Sequence, residues 1–206
     1  ENKYIDIAEN LQLNDKSNIL EIGCGWGGFS TFIAKKYGAK INAITISKEQ
    51  FDFVSEKIAK EGLNEKIKIE MRDYRDVSNK YSNVVAIEMF EAVGKEYWSS
   101  FFEKVKGSMN DSGIAAMQII TIDDNKAFNY QNNPDFIQQY IFPGGVLPSK
   151  KQLKTVTKSI GLKLEENKSF NNSYAKTLSL WNKKFQNSWD EISSQGFSLR
   201  FKRMWE

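Results

Sequence analysis

The stretch NILEIGCGWGGFSTFIAKKYG (residues 18–38) decides the fold of this 206-residue chain. It reads as a short buried strand, NILEIG, followed by a glycine-rich turn and by a helix that ends at Gly38. Four further apolar segments of strand length cover residues 40–47, 66–73, 83–90 and 113–121. Because helical segments alternate with these strands, the sequence predicts an α/β fold built on a parallel, doubly wound sheet.

The alternation of strands and helices stops after Thr121. Residues 122–149 are polar and aromatic, contain all three prolines and lack strand periodicity. We therefore expect them to form a cap inserted into a single domain that spans residues 1–206. The other predicted elements are a helix over 2–12, a basic helix over 150–160, a strand over 163–170 and two helices over 173–194 and 196–206.

The composition excludes several classes of chemistry. The chain has no histidine and one cysteine, so a histidine-based hydrolytic triad, an internal disulfide and a multi-cysteine zinc site are excluded. We expect no metal site and a reduced, cytoplasmic location. A formal net charge of +3 is too small to indicate nucleic-acid binding. No apolar run approaches the roughly 20 residues of a membrane-spanning helix, and the sequence indicates no particular oligomeric state.

The glycine-rich turn, EIGCGWGG (21–28), lies where backbone N–H groups at a helix N-terminus can meet a ligand. Its G-x-G-x-G pattern serves NAD, FAD and S-adenosylmethionine alike. The second strand ends in Thr-Ile-Ser (45–47) and offers no ribose-binding acid, which disfavours an NAD dehydrogenase. Glu21 precedes the first glycine and is placed to accept a hydrogen bond from an ammonium group. A turn that serves packing only is the alternative.

Seven motifs follow one another along the chain: EIGCGWGGF (21–29), AITISKEQ (43–50), RDYRD (72–76), EMFEAVG (88–94), YIFPGGVLPS (140–149), YAKTLSLW (174–181) and FKRMW (201–205). Their order is that seen in cyclopropane-fatty-acyl-phospholipid synthases, and the chain resembles that family and the related mycolic acid cyclopropane synthases. The resemblance implies a Rossmann-like class I methyltransferase fold and S-adenosylmethionine as cofactor. Family members extend beyond both ends of this sequence, so we expect a truncation at both ends.

The resemblance also implies a set of cofactor-binding residues. They are Glu21, Gly23 and Gly25 for the methionine part, Thr45, Ile46 and Gln50 for the adenosine, and Asp73, Tyr74 and Ile87 around the adenine. Each group has a simpler alternative. The two isoleucines fit a core strand, Asp73 fits a helix N-cap, and Gln50 fits a solvated helix position.

In the family, a cis double bond of a lipid chain attacks the sulfonium methyl group, and loss of a proton from the new methyl closes a cyclopropane ring. This chemistry needs a dry apolar tunnel, electron-rich groups near the cation and a base. The resemblance implies that bicarbonate is that base, held by Cys24, Glu91 and Tyr174 with a backbone contact at Ile120.

The sequence departs from the family at two positions, and it does not determine which residues contact the acceptor. Ala92 and Gln118 stand where histidines are common, and a glutamine can form hydrogen bonds but carries no charge. The cap is expected to cover the substrate, with Tyr140 and Phe142 contacting the acyl chain. Simple core packing is the alternative for these aromatic residues.

The predicted function is transfer of a carbon from S-adenosylmethionine to a cis double bond of an unsaturated phospholipid acyl chain, which forms a cyclopropane fatty acid. One alternative is a methyltransferase that makes a methyl-branched fatty acid or methylates another small acceptor. Another is a non-catalytic fragment that binds cofactor or lipid. A phospholipid substrate predicts peripheral contact with the inner membrane surface through the basic helix. The lysines on one face of that helix are Lys150, Lys151, Lys154 and Lys158. A solvated helix face explains these lysines equally well.

Overall fold

A computed structural model describes residues 1–166 and 168–206. Within them one sheet contains five parallel strands: β1 (Asn18–Ile22), β2 (Lys40–Thr45), β3 (Ile67–Met71), β4 (Tyr81–Ile87) and β5 (Met109–Gln118). Their order is β3-β2-β1-β4-β5. The chain therefore winds outward from β1 and then reverses to β4, which confirms the predicted doubly wound sheet. The crevice between the ends of β1 and β4 is the place where such folds bind ligands.

Nine α-helices surround the sheet in the described part of the chain. They are α1 (Asn2–Asn10), α2 (Gly28–Tyr37), α3 (Lys48–Lys60), α4 (Trp98–Gly107), α5 (Asp124–Asn132), α6 (Lys150–Ser159), α7 (Asn171–Asn187), α8 (Trp189–Ser194) and α9 (Leu199–Trp205). Short 3-10 turns form at Tyr74–Asp76, Phe90–Ala92 and Lys95–Tyr97, and a π-helical turn forms at Ile137–Ile141. No helix among the described residues is both long and apolar enough to cross a lipid bilayer.

Two apolar clusters cover the two faces of the sheet. Ile19 of β1 packs into the first cluster with residues of α2 and α3. Leu20 and Ile22 point into the second, where residues of α4 and α6 lie. Successive residues of β1 thus face opposite sides, as expected for a strand that is buried on both faces. Packing against both apolar clusters fixes the position of β1, and the candidate site lies at the carboxyl end of this strand.

Two of the predicted elements differ in the structure. No strand forms in 163–166 or 168–170, and residue 167 lies outside the described residues. This segment is rich in charge: Lys163 pairs with Glu165, Glu166 pairs with Lys150, and its leucine stays exposed. It therefore has no apolar face to bury against the sheet. The predicted long helix over 173–194 is divided at Ser188 into α7 and α8.

Candidate cofactor and active site

The glycine-rich turn leaves β1 at the carboxyl edge of the sheet. Gly23, Gly25 and Gly27 have φ values of 75°, 53° and 72°, a left-handed conformation that favours glycine. A Cβ atom on Gly23 would lie 2.8 Å from Cγ of Met89, and one on Gly27 would lie 3.1 Å from the Val54 side chain. A Cβ atom on Gly25 would meet nothing within 4 Å. The turn is therefore open to a ligand at Gly25, between two closely packed glycines.

Glu21 is buried beneath this turn, with 2% of its surface exposed. The Ser30 hydroxyl donates a hydrogen bond to its Oε2 atom. Burial raises the pKa of Glu21 to about 8, although the hydrogen bonds from Ser30 act in the opposite direction. A positively charged group beside Glu21 would favour the carboxylate again, so the site fits the ammonium group of an amino acid.

Cys24 lies in the same turn and is buried. Burial, followed by the charge of Glu21, raises the pKa of its thiol to about 12. The thiol therefore stays protonated at neutral pH and is a poor nucleophile. Its Sγ atom lies 3.8 Å from the Gly25 carbonyl oxygen, so Cys24 adds a neutral, weakly polar surface to the turn.

The end of β2 contributes three of the predicted cofactor residues. The Thr45 hydroxyl donates a hydrogen bond of 2.7 Å to Oε1 of Gln50, which leaves the amide NH₂ group of Gln50 available to another partner. Ile46 is 79% exposed, which overturns the alternative that it is a core strand residue. It presents an apolar surface at the sheet edge. Such a surface suits the flat face of an adenine.

The ends of β3 and β4 hold the remaining predicted cofactor residues. Asp73 accepts a hydrogen bond from the Arg75 backbone N–H and pairs with the Arg75 guanidinium, which lowers the pKa of Asp73. It thus caps the 3-10 turn, as the simpler alternative predicted. The Tyr74 ring packs edge-on against Phe101 at 5.2 Å. Ile87 is half-buried against the first apolar cluster.

Glu91 occupies the 3-10 turn that follows β4. Its Oε1 accepts a hydrogen bond from the Ile120 backbone N–H, and its carbonyl oxygen accepts one of 2.9 Å from Val146. Its Oε2 is buried and has no hydrogen-bond partner in the described part of the chain. Burial raises the pKa of Glu91. A buried carboxyl oxygen without a partner indicates a place for a ligand or for a transferable proton.

Gln118 and Tyr174 lie close to the segment after β4 that carries Glu88 and Glu91. The amide group of Gln118 donates a hydrogen bond to the carboxylate of Glu88. Burial raises the pKa of Tyr174, and the charges of Glu88 and Glu91 raise it further. The structure thus brings Tyr174 of α7 to the same sheet edge as Glu91. All five residues predicted to be catalytic lie at this carboxyl edge: Cys24 in the glycine-rich turn, and Glu91, Gln118, Ile120 and Tyr174.

The cap segment carries exposed aromatic side chains. Tyr140 lies in the π-helical turn with its ring 5.2 Å from Phe136, and Phe142 directly follows that turn. Both predicted acyl-contacting residues are more than half exposed, so the core-packing alternative is wrong for them. Phe128 of α5 is 81% exposed. The segment therefore offers apolar surface that the described residues do not bury.

Three residues near the site were missed by sequence reasoning. Tyr4 of α1 reaches the turn, since its hydroxyl would lie 2.6 Å from a Cβ atom on Gly28. Trp26, inside the turn, meets the ring of Phe53 at 5.3 Å. Glu88 has a left-handed φ of 50° directly after β4. Its place after an apolar strand is visible in the sequence, but its backbone conformation is not.

Comparison with known proteins places this geometry in a family. The chain is 37% identical over 205 residues to the tuberculostearic acid methyltransferase UfaA1 of Mycobacterium tuberculosis. This match covers 99% of this chain and 47% of that protein. It is 34% identical over 198 residues to the cyclopropane-fatty-acyl-phospholipid synthase of Escherichia coli K12, covering 96% of this chain and 49% of that protein. The chain thus spans about half the length of these curated relatives.

The solved structure of the mycolic acid cyclopropane synthase CmaA1 complexed with SAH and CTAB has a similar fold. The TM-score is 0.89 at 24% identity, and the match covers 98% of this chain and 74% of that one. It confirms the predicted Rossmann-like class I methyltransferase fold. The family model described as mycolic acid cyclopropane synthetase matches residues 1–206. Because that match includes every residue, the chain belongs to the mycolic acid cyclopropane synthetase family.

Proposed function

We propose that this chain transfers the methyl carbon of S-adenosylmethionine to a cis double bond in an unsaturated phospholipid acyl chain and closes a cyclopropane ring. The observation that carries the proposal is the buried, unpartnered Oε2 of Glu91, at the same sheet edge as the open turn around Gly25. A cofactor cradle and a buried carboxyl group thus stand together. The names of the two relatives, a fatty-acid methyltransferase and a lipid cyclopropane synthase, support a lipid acceptor.

The residues around the turn fit S-adenosylmethionine. Glu21 would accept a hydrogen bond from its ammonium group, the backbone at Gly25 would approach its methionine part, and Ile46 would lie against the adenine. The Gln50 amide NH₂ group would reach the ribose, because its oxygen is engaged by Thr45. When bound, the cofactor supplies an electrophilic methyl group on a sulfonium ion.

The residues beyond the turn would hold the base that accepts the proton released by ring closure. Glu91 and Tyr174 would hold a bicarbonate ion, which supplies a base that is not readily alkylated. The Ile120 N–H already donates to Oε1 of Glu91, so the free acceptor in this group is Oε2. Cys24, with its protonated thiol, would line the site without competing for the methyl group.

A methyl branch is the second candidate product. Gln118 stands where the family commonly has a histidine, and its amide cannot take up the proton of a cation. If the proton of the new methyl is not removed at this point, a hydride shift moves the positive charge to the methyl-bearing carbon, and loss of a proton from the neighbouring chain carbon leaves a methyl-branched alkene instead of a ring. The same fold and cofactor serve both outcomes, so the products decide between them.

Peripheral contact with an anionic membrane also belongs to the proposal. Four lysines of α6 line a surface depression of about 440 Å³, together with Asp124 and Thr155; they are Lys150, Lys151, Lys154 and Lys158. Phe128 lies one helical turn after Asp124 on α5, on the same side of that helix, and is largely exposed. Basic side chains next to an exposed aromatic ring suit the surface of a bilayer.

The test is mass spectrometry of cis-monounsaturated phosphatidylglycerol vesicles incubated with the chain and S-adenosylmethionine that carries a trideuterated methyl group. Ring closure removes one deuteron from the transferred group, whereas a methyl-branched alkene, formed by a hydride shift and loss of a proton from the chain, retains all three. We expect the first pattern. Label in a branched chain would favour the second candidate, and the absence of label from every lipid would refute lipid methylation by this chain.

A further inference from the structure

Glu88 adopts a backbone conformation that is costly for its residue type. Its φ is 50°, and the other non-glycine residue with a positive φ in the described chain is Gln12, in the loop after α1. Left-handed backbone is unfavourable for residues with a Cβ atom and easy for glycine. A glutamate in this position at a functional edge indicates that its side chain has a use.

The Glu88 carboxylate joins three elements. Oε1 accepts a hydrogen bond from Nε2 of Gln118, at the end of β5, and lies 3.8 Å from Nζ of Lys3 on α1. The Glu88 backbone N–H also donates to the Gln118 carbonyl oxygen at 2.8 Å. Glu88 and Gln118 are thus bound to each other through both backbone and side chain.

This pairing fixes the orientation of the Gln118 amide. Oε1 of Glu88 accepts a hydrogen bond from Gln118, so the NH₂ group of this amide faces Glu88. The amide oxygen is left as the free end, and within the described residues no hydrogen bond to it is formed. Two residues along the chain, the Ile120 N–H binds Glu91. A neutral acceptor is therefore held two residues before the N–H group that binds Glu91.

We propose that Glu88 is a positioning residue, which holds the Gln118 amide so that its oxygen faces the position where positive charge develops on the lipid chain. The inference rests on the proposed methyl transfer. An amide oxygen can stabilise a cation without being readily alkylated, whereas a freely rotating glutamine would present its NH₂ group half of the time. The charge of Glu88 also reaches the neighbouring groups, since it raises the pKa of Glu91 and of Tyr174.

Three substitutions at one position separate positioning from folding. Glu88→Ala and Glu88→Gly both remove the carboxylate, and we expect each to lower kcat by roughly 10- to 100-fold with an unchanged KM for S-adenosylmethionine. Glu88→Gly should have the higher Tm of the two, because glycine relieves the left-handed strain. Glu88→Gln keeps an oxygen that can accept from Gln118, and it should retain most of the activity.

A double substitution tests whether Glu88 acts through Gln118. In the Gln118→Ala background, Glu88→Ala should cause little further loss of kcat, because both changes remove the same interaction. Additive losses would overturn the inference. So would a loss in Glu88→Gln as large as that in Glu88→Ala, since the charge alone would then matter.

A nuclear magnetic resonance measurement tests the positioning role of Glu88 without an activity assay. The side-chain ¹⁵N–H₂ signal of Gln118, assigned with Gln118→Ala, should be slow to exchange in the wild type and in Glu88→Gln. It should exchange rapidly in Glu88→Ala and Glu88→Gly. An unchanged signal in Glu88→Ala would refute the positioning role, whereas absence of labelled lipid with the wild type would refute the proposed function instead.

Discussion

The carboxyl group of Glu21 is buried, and this burial opposes its ionisation. Its pKa is about 8 in the folded chain against an ordinary value of 4.5. The folded state thus holds the proton more tightly than the unfolded state does. The chain without ligand should therefore lose stability as the pH rises from about 4.5 to about 8, and should regain it when a cation binds beside Glu21.

Replacement Glu21→Gln should remove this pH dependence, because glutamine is neutral at every pH. The variant should become more stable than the wild type as the pH rises, by a few kcal/mol (at most about 5) near pH 8. Urea unfolding of the ligand-free chains at several pH values measures the difference. Glu56→Gln, on the exposed surface of α3, is the matched control. Parallel stability profiles for the wild type and Glu21→Gln would contradict the account.

At the scale of single elements, α6 joins the cap to the rest of the fold. Its N-terminus carries a capping box, in which the Ser149 hydroxyl accepts from the Gln152 N–H and the Gln152 side chain accepts from the Ser149 N–H. Gln152 also exchanges hydrogen bonds with Gln131 of α5. The start of α6 thereby fixes the position of α5, which carries the exposed Phe128.

Replacement Ser149→Ala should destabilise the chain by about 1–2 kcal/mol, because a buried helix cap is lost. Ser99→Ala, at an exposed position on α4, serves as the control and should stay within about 0.5 kcal/mol of the wild type. Urea unfolding at neutral pH measures both. Equal midpoints for the two variants would show that the capping box contributes nothing to stability.

The elements also show what the sequence could and could not predict. The five strands and the glycine turn carry their signals locally, as apolar runs and punctuating glycines, and these were predicted closely. The predicted strand over 163–170 does not form in the described residues of that segment, because its apolar residues are too few to outweigh the charges around them. The Glu91–Ile120 and Glu88–Gln118 contacts join the segment after β4 to the end of β5 and the residues that follow it, so they depend on tertiary packing that no local pattern reports.

At the scale of the whole molecule, the lysines of α6 and those of α3 belong to helices on opposite faces of the sheet. α6 packs on the second apolar cluster and presents the lysine-lined depression. α3 packs on the first cluster, on the opposite face. If the chain binds an anionic bilayer through α6, the lysines of α3 lie on the side away from the bilayer. Substitutions of those lysines therefore serve as a control for substitutions on α6.

Charge reversal on α6 should weaken binding to anionic vesicles. Lys151→Glu with Lys154→Glu should reduce the binding by at least tenfold, since each lysine near such a surface contributes about 1 kcal/mol. The same reversal at Lys57 and Lys60 of α3 should have a much smaller effect. Co-sedimentation with phosphatidylglycerol vesicles at low and at raised salt measures both pairs. Equal losses for the two pairs would exclude α6 as the membrane contact.

Glu91 carries the central claim, because its buried Oε2 is the observation on which the proposed methyl transfer rests. The most direct measurement compares Glu91→Gln with the wild type for transfer of labelled methyl carbon to phospholipid, with calorimetric binding of S-adenosylhomocysteine measured in parallel. We predict that Glu91→Gln binds the cofactor product as tightly as the wild type and loses turnover by roughly 100-fold or more. Label transfer at the wild-type rate would contradict the account and remove Glu91 from the reaction.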